Sequence, residues 1–253
     1  MGSINIIPIG SGSTGNCIYI EIEDHRFLVD MGIGMRKVRD TLNGHGRDLA
    51  DIEAIFLTHS HSDHIKAAPA IANNTSCLVY GDASHMYNIR NIKANKSIID
   101  AYADTDINGL TVRMFYVPHD FVKTCGYTFA TKNRKVGFVT DCGLMSDTIV
   151  EELSGSDVVI IESNHDVEML KNGPYPKDLQ RRILSKYGHL SNDDCAATIA
   201  RLYETGTRNF ILAHISLNNN TLDVAYETTA KVMEGKEISL YTCPEEGRDL
   251  LTY

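Results

Sequence analysis

The stretch THSHSDH, residues 58 to 64, places three histidines and one aspartate within seven positions. A chance occurrence of the spacing HxHxDH has a probability on the order of one in a thousand, so the cluster indicates a function. His59 and His61 alternate along an extended segment and can reach one metal ion, whereas Asp63 and His64 continue into a turn toward a second position. Because four ligands on one tetrahedral ion would leave no open position, a catalytic centre favours two ions.

Three further residues that can bind metal come at the ends of apolar β-type runs. His119 follows RMFYVP, Asp141 ends KVGFVTD and His214 lies within FILAHIS. Each alone has a structural explanation, because a histidine can cap a turn or be satisfied in the core and an aspartate can begin a turn. Together they extend the candidate ligand set to a size that suits two ions roughly 3.5 to 4 Å apart, with a carboxylate and a hydroxide between them.

Rigid strands are needed to position these residues, and the sequence predicts them in both halves of the chain. Apolar β-type runs predict strands at 4–9, 17–23, 27–32, 54–58, 77–81, 112–118, 127–131, 135–141, 158–164, 210–216 and 238–242. The first three are predicted to be antiparallel. Helical patterns lie at 35–42, 84–92, 146–154, 177–187, 191–204 and 222–234. Ser191, three residues before Asp194, predicts a helix cap, and the alternation predicts a layered α/β or α+β fold.

Composition limits the class of protein. The 253 residues contain no repeat and no Pro/Ser-rich linker, which favours one domain over residues 1–253. The sequence has no apolar run near the roughly 20 residues that a bilayer requires, so we expect a soluble chain with no membrane partner. Six scattered cysteines suit reduced thiols in the cytoplasm. The net charge of -9 argues against a nucleic-acid coat, but bound cations would still permit a phosphodiester substrate.

The order of these motifs resembles the metallo-β-lactamase superfamily, whose fold is an αββα sandwich of two mixed sheets flanked by helices. Several stretches resemble its YycJ branch, also called WalJ or VicX: SGSTGN at 11–16, TDCG at 140–143, ESNHDVEML at 162–170, RRILSKYGHLSN at 181–192 and AHISLNNN at 213–220. The resemblance covers nearly the whole chain. The metal motif alone specifies the superfamily, and the later stretches specify the branch.

The resemblance implies a role for each candidate ligand. One ion would be held by His59, His61 and His119, and the other by Asp63, His64 and His214. Asp141 would bridge the two ions. Asp30, in FLVDMG, would orient a ligand imidazole, although a place in a surface turn is the alternative.

Catalytic residues follow from the same resemblance. GHLS at 188–191 is similar to a motif of tRNA 3′-processing nucleases, so His189, supported by Glu162, would give a proton to the leaving oxygen. Asp63 is predicted to be catalytic as well. Alternatively, His189 could occupy a position at the start of a helix where the residue serves only the geometry of the turn. The resemblance gives His165 and Asp166 no role that can be derived.

Two segments bear on the substrate. The turn SGSTGN could receive phosphate oxygens through Ser11, Ser13, Thr14 and Asn16, or it could be only a tight turn between strands. A basic stretch that includes Arg181 and Arg182 precedes GHLSN. It could follow a nucleic-acid backbone, although such runs more often form a solvated helix face.

The implied activity is metal-dependent phosphodiester hydrolysis by a hydroxide held between two divalent ions. The ions would be zinc or manganese, or else iron. The branch implies a nuclease, with DNA preferred over RNA and attack from the 5′ end. Alternatives are a phosphodiesterase for cyclic nucleotides or other small phosphodiesters, a lactonase or thioesterase, and a regulatory metal-binding protein tied to two-component signalling.

Overall fold

The structure, a computed structural model, describes residues 2–89, 96–120, 123–247 and 249–253. The contacts among residues define two units. The first comprises residues 1–114, 130–134 and 245–253, and the second comprises residues 115–129 and 135–244. The expectation of one domain over residues 1–253 stays a prediction.

The first unit is built on a sheet of seven described strands: β1 (Ile4–Gly10), β2 (Cys17–Ile22), β3 (His25–Val29), β4 (Ala54–Phe56), β5 (Leu78–Gly81), β6 (Lys96–Ile98) and β14 (Leu251–Thr252). Their order is β14-β1-β2-β3-β4-β5-β6. The strands from β14 to β3 pair antiparallel, and those from β3 to β6 pair parallel. The predicted antiparallel arrangement of the first three strands is confirmed.

Helices and a shared apolar core complete the first unit. Its helices are α1 (Met35–Gly44), α2 (Ser62–Ile65), α3 (Ala68–Asn74) and α4 (Ala83–Asn88), with a 3-10 turn at Leu49–Asp51. α1 places Val38 and Leu42 on one face, and both join a core with Ile7, Ile9 and Leu28. The helix predicted at 84–92 begins as α4, and residues 90–92 lie outside the described residues.

The second sheet contains β7 (Asp104–Ile107), β8 (Leu110–Val117), β9 (Thr124–Ala130), β10 (Lys135–Val139), β11 (Val158–Glu162), β12 (Asn209–Ala213) and β13 (Ser239–Thr242). Their order is β13-β12-β11-β10-β9-β8-β7, with β10 to β13 parallel and β7 antiparallel to β8. Helices α5 (Asp147–Leu153), α6 (Val167–Asn172), α7 (Lys177–Ile183), α8 (Asn192–Glu204) and α9 (Leu222–Val232) belong to the second unit. Continuous burial along β10, β11 and β12 gives this unit its own core.

Several strands end before the candidate site residues that were predicted to lie within them. The runs 27–32, 135–141 and 210–216 stop at Val29, Val139 and Ala213. Asp30, Asp141 and His214 have φ values of 59°, 54° and 55°, which lie outside the β region, so a strand cannot continue through them. These residues therefore lie on loops that follow strand ends.

The predicted fold class is confirmed, because two mixed sheets are flanked by helices. Among the residues that the structure describes, no helix has the length and apolar character needed to cross a membrane.

Candidate metal centre and active site

The histidine loop of the first unit joins β4 to α2. His59 and His64 are buried, whereas His61 and Asp63 are partly exposed. The ring centroid of His59 lies 4.5 Å from that of His61 and 4.0 Å from that of His64. Three imidazoles are therefore gathered on one short loop. Gly32 permits this packing, because a Cβ at that position would lie 1.5 Å from the carbonyl oxygen of Asp63.

Asp30 connects the end of β3 to this loop. Its Oδ1 accepts a hydrogen bond from the Thr58 backbone N–H at 2.8 Å, and its Oδ2 accepts one from the Thr58 hydroxyl at 2.8 Å. The same Oδ2 lies 2.7 Å from Nδ1 of His64. Because a carboxylate can only accept this hydrogen bond, Nδ1 of His64 carries the proton. The lone pair of the ring is therefore on Nε2, as a metal ligand requires. Asp30 can thus fix the tautomer of His64.

Asn16 holds the SGSTGN turn and contacts the histidine loop. Its amide nitrogen lies 2.9 Å from Nε2 of His64 and 3.5 Å from Oδ2 of Asp63. It also donates to the Gly12 carbonyl at 3.0 Å. Asn16 therefore lies beside the nitrogen through which His64 could bind a metal.

The other predicted substrate residues of that turn are placed differently. Ser11 is buried, and Ser13 and Thr14 are exposed. The Thr14 carbonyl accepts a hydrogen bond from Lys66 Nζ at 2.8 Å. A substrate role for these three residues stays a prediction.

In the second unit, two histidines converge on Asp141. Nε2 of His119 lies 3.6 Å and Nε2 of His214 lies 3.7 Å from Oδ1 of Asp141. Nδ1 of His119 donates to the Gly188 carbonyl at 2.9 Å, and Nδ1 of His214 donates to Glu162 Oε1 at 2.8 Å. Both rings therefore direct a lone pair on Nε2 toward the same carboxylate oxygen. These separations exceed a hydrogen bond but allow each pair of atoms to reach one ion.

Glu162 is the most connected acid of this unit. It is fully buried at the end of β11, and its Oε1 accepts from Nδ1 of both His189 (2.7 Å) and His214 (2.8 Å). Its Oε2 accepts from the backbone N–H groups of Cys142 (2.9 Å) and Leu190 (3.1 Å). Burial raises the pKa of the carboxyl, but attraction to His189 and the imidazole hydrogen bonds outweigh it and lower the pKa to about 2. Glu162 is thus an anion at neutral pH.

Glu162 contacts only one of the two ring nitrogens of His189, and the His189 side chain is partly exposed. Its side chain is 22% exposed, whereas that of Glu162 is 0% exposed. Its ring centroid lies 4.9 Å from that of His119 and 5.2 Å from that of His214. Because Nδ1 is directed to Glu162, Nε2 is the atom that can exchange a proton with a substrate.

Unusual backbone conformations concentrate at these residues. Asp30, Asp120, Asp141 and His214 all have positive φ, between 40° and 59°. Such conformations are uncommon for residues other than glycine and often occur at functional sites. All four residues lie outside the strands.

The donor atoms suit divalent metal ions. In the second unit, ligand atoms of Asp141, Glu162, His189 and His214 all lie within 4.8 Å of one another. In the first unit, Nδ1 of His64 contacts the buried carboxylate of Asp30. In the second unit, Nδ1 of His119 donates to a backbone carbonyl and Nδ1 of His214 donates to the carboxylate of Glu162. This outer support is typical of metal-binding histidines. Imidazole with carboxylate matches zinc, manganese or iron chemistry.

The two predicted substrate arginines have different surroundings. Arg181 pairs with Asp178, and their side chains are 78% and 88% exposed. Arg182 pairs with Asp120 through Nε (2.8 Å) and Nη2, and the Asp120 side chain is only 12% exposed. Only Arg182 is therefore held against the residues that surround His189.

The branch residues His165 and Asp166 have structural contacts. The Asp166 side chain caps α6 by accepting from the Met169 backbone N–H at 2.7 Å. His165 is buried, and its carbonyl accepts from the Asn192 backbone N–H at 2.9 Å. Burial lowers the pKa of His165.

Sequence reasoning did not identify Thr58 or Asp120 as contacts of the site. Both are immediate neighbours of predicted histidines, His59 and His119, so adjacency was the only available signal. The structure places Asn16 beside His64, and its predicted contact with phosphate stays a prediction.

Comparison with known proteins identifies the class. A family model described as the β-lactamase superfamily domain matches residues 25–215. The chain therefore belongs to the metallo-β-lactamase superfamily and is a metal-dependent hydrolase.

The chain is 35% identical over 235 residues to exodeoxyribonuclease YycJ of Bacillus anthracis, a match that covers 90% of the chain and 88% of that protein. It is 33% identical over 227 residues to exodeoxyribonuclease WalJ of Streptococcus pneumoniae strain D39, covering 87% and 84%. The resemblance to the YycJ/WalJ branch is confirmed.

Solved structures share the fold. The metallo-β-lactamase fold protein YhfI of Bacillus subtilis has a TM-score of 0.74 at 14% identity, with 99% of each chain covered. The short form of human tRNase Z has a TM-score of 0.67 at 17% identity, with 98% of each chain covered. At these identities the similarity is one of fold alone.

Proposed function

We propose that the protein is a metal-dependent DNA exonuclease that removes nucleotides from the 5′ end. Relatives named as exodeoxyribonucleases at 33 to 35% identity support a DNA substrate. The observation that carries the proposed chemistry is the hydrogen bond of 2.7 Å between His189 and the buried Glu162, which also accepts from His214. One anion thereby supports a proposed metal ligand and a proposed proton donor.

The proposed metal ligands follow the superfamily pattern. By that pattern His59, His61 and His119 would hold one divalent ion, Asp63, His64 and His214 would hold the other, and Asp141 would be a ligand of both. Asp30 orients His64. The ions are zinc or manganese, with iron as a further candidate. When bound, they supply an activated water as the nucleophile and neutralise charge on the phosphate.

The chain's own residues handle the proton and the ligand geometry. His189 gives a proton from Nε2 to the leaving oxygen, and ionised Glu162 stabilises the imidazolium before the transfer. Asp63, which is partly exposed, is proposed as a catalytic carboxylate as well as a ligand. The six cysteines are buried, and burial raises the thiol pKa of Cys17, Cys142 and Cys195, so we assign them no chemistry. They support a place in the reducing cytoplasm.

A metal-by-substrate matrix tests this function. Protein stripped by chelator is reloaded with manganese or zinc and given linear DNA, RNA, cyclic mononucleotides and a lactone. We expect metal-restored shortening of DNA, with slower or no turnover of the others. Turnover of cyclic mononucleotides without DNA shortening would refute the nuclease and favour a small-molecule phosphodiesterase. Lactone turnover alone would indicate acyl chemistry.

A further inference from the structure

A small cavity of the second unit lies beside His189. Its volume is 190 Å³, and its lining includes Tyr175, Leu179, Arg182 and Asp120. Pockets for drug-sized ligands span roughly 300–1,000 Å³, so this cavity suits a fragment the size of one base or one sugar. A fragment bound there would adjoin the proposed proton donor.

One side of the cavity offers an aromatic surface whose position is fixed. The hydroxyl of Tyr175 accepts a hydrogen bond from Asn218 Nδ2 at 3.0 Å, and its backbone carbonyl accepts one from Gln180 Nε2 at 2.9 Å. Leu179 adds an apolar side chain. An aromatic ring held in place is the usual platform for a nucleobase, because every base has a π face.

The cavity also has a cation with donors to spare. Asp120 engages Nε and Nη2 of Arg182, while 60% of the Arg182 side chain remains exposed. A guanidinium has five N–H groups, so a second anion can be bound through those that Asp120 does not use. Asp120 is itself held by its backbone N–H, which donates to the Tyr187 carbonyl at 2.8 Å. Arg182 is thus oriented beside the cavity.

We propose that this cavity receives the base of the 5′-terminal nucleotide of the DNA against Tyr175, with the 5′-phosphate of that nucleotide at the exposed guanidinium of Arg182. The proposal rests on the proposed nuclease function and specifies its substrate end. The cavity needs to hold only the base, because the 60% exposed side chain of Arg182 can meet the phosphate outside it. The oxygen beside His189 is then O3′ of the terminal nucleotide.

The reaction at this end balances as the hydrolysis of one phosphodiester. The oxygen of one water forms a bond to phosphorus, and the P–O3′ bond breaks with its electron pair on O3′. His189 gives that oxygen a proton, and it recovers one from solvent, into which the water's proton has passed. The products are a 5′-mononucleotide and a DNA one nucleotide shorter that again carries a 5′-phosphate, so each round creates the end group that Arg182 binds.

The first test compares 5′-phosphorylated and 5′-hydroxyl oligonucleotides with metal-loaded wild type, R182Q and R181Q. We expect wild type to favour the phosphorylated end by about tenfold in kcat/KM, the size of one charge-assisted hydrogen bond, and R182Q to bring the ratio close to one. Arg181 is the matched control, because it pairs with the exposed Asp178, so R181Q should keep the wild-type ratio.

An R182Q protein that retains the wild-type ratio would overturn the subsite while leaving the nuclease intact. The same conclusion would follow if R181Q and R182Q lowered the ratio equally. Wild type that shortens no DNA under any metal would refute the proposed function and the subsite together.

The second test uses an oligonucleotide whose first nucleotide lacks a base. Y175A should raise KM about tenfold for the normal oligonucleotide and less than about twofold for the abasic one, because the stacked base is already missing. Y175F keeps the ring but loses the hydroxyl that Asn218 contacts, so it should raise KM for the normal oligonucleotide less than Y175A does. Y175L preserves apolar volume and replaces Y175A if circular dichroism shows that Y175A is unfolded. Equal effects on the two oligonucleotides would contradict a base at Tyr175.

Discussion

At the scale of single residues, Glu162 supports two imidazoles with one oxygen and two backbone amides with the other. A glutamine cannot reproduce this pattern, because one of its two terminal atoms is a donor that would face another donor. The carboxylate is therefore required both for its charge and for its four acceptor contacts.

We expect E162Q to lower kcat on DNA by roughly 100-fold or more, the range found when a proton donor loses its partner or a metal ligand loses its support. The control is E168Q, since Glu168 lies on α6 and pairs with the exposed Lys171. Steady-state kinetics and thermal unfolding of both variants check the prediction. Wild-type kcat in a folded E162Q would contradict it.

Asp30 provides a second residue-scale prediction. D30N keeps the size of the side chain and tolerates the backbone φ of 59°, because asparagine is enriched in this region. It removes the charge that faces Nδ1 of His64, so we expect metal affinity to fall about 10- to 100-fold. Chelator competition measures this loss, with D24N at an exposed turn as control. Equal affinities for D30N and D24N would exclude the orienting role.

Residues of the site were predictable where their signal was local. The histidine loop stands out because its donors lie within seven positions. Contacts between distant positions had no such signal: Asn16 and His64 are 48 positions apart, and Asp120 and Arg182 are 62 apart. Their pairing depends on the path of the chain, which residue types and spacing do not encode. The assignment of each ligand to an ion stays a prediction.

At the scale of elements, the turn that carries His189 is fixed by the start of α8. The Ser191 side chain accepts from the Asp194 backbone N–H at 3.1 Å, so the predicted cap is confirmed. Gly188 precedes His189, and a Cβ there would lie 2.1 Å from the Ile183 carbonyl oxygen. The cap and this glycine together determine where His189 lies.

We expect S191A to lower the free energy of unfolding by about 1 kcal/mol, a typical value for a lost helix cap, and also to lower kcat. S146A is the matched control, because Ser146 caps α5 through the Ile149 backbone N–H at 3.3 Å. It should lose similar stability and keep kcat. Denaturant unfolding and kinetics separate the two effects, and equal kcat values would contradict a positioning role for the cap.

Long apolar elements were predictable, and short or polar ones were not. The runs that became β1, β8, β11 and β12 were identified from their apolar residues, most of which the structure buries. The strands KSI, DTDI and LT have no apolar pattern, and α2 has only four residues, too few to show a helical period. Strand ends were placed too late, because left-handed residues such as Asp141 interrupt runs that remain apolar in sequence.

At the scale of the whole molecule, each unit has its own buried core, which explains why the fold class could be predicted from apolar runs in both halves of the chain. The division into two units could not be predicted from the sequence, because residues 130–134 and 245–253 join the first unit from distant positions.

Metal binding should also be visible as stability of the whole molecule. An ion that binds only the folded chain stabilises it by about 2.7 kcal/mol at 100 times its Kd. For a chain of this size we expect manganese or zinc to raise the Tm of chelator-treated protein by roughly 5 to 10 °C. Scanning calorimetry with and without metal measures the shift, and D30N should show a smaller one. An unchanged Tm for wild type would contradict the metal centre.

The most direct test of the proposed 5′ exonuclease activity follows which end of a DNA strand is released first. Linear DNA labelled at either the 5′ or the 3′ end is incubated with metal-loaded protein, and closed circular DNA serves as the control. We expect early release of the 5′ label as a mononucleotide, later loss of the 3′ label, intact circles, and no release after chelation. Early release of the 3′ label, cutting of circles, or release that persists in chelator would contradict it.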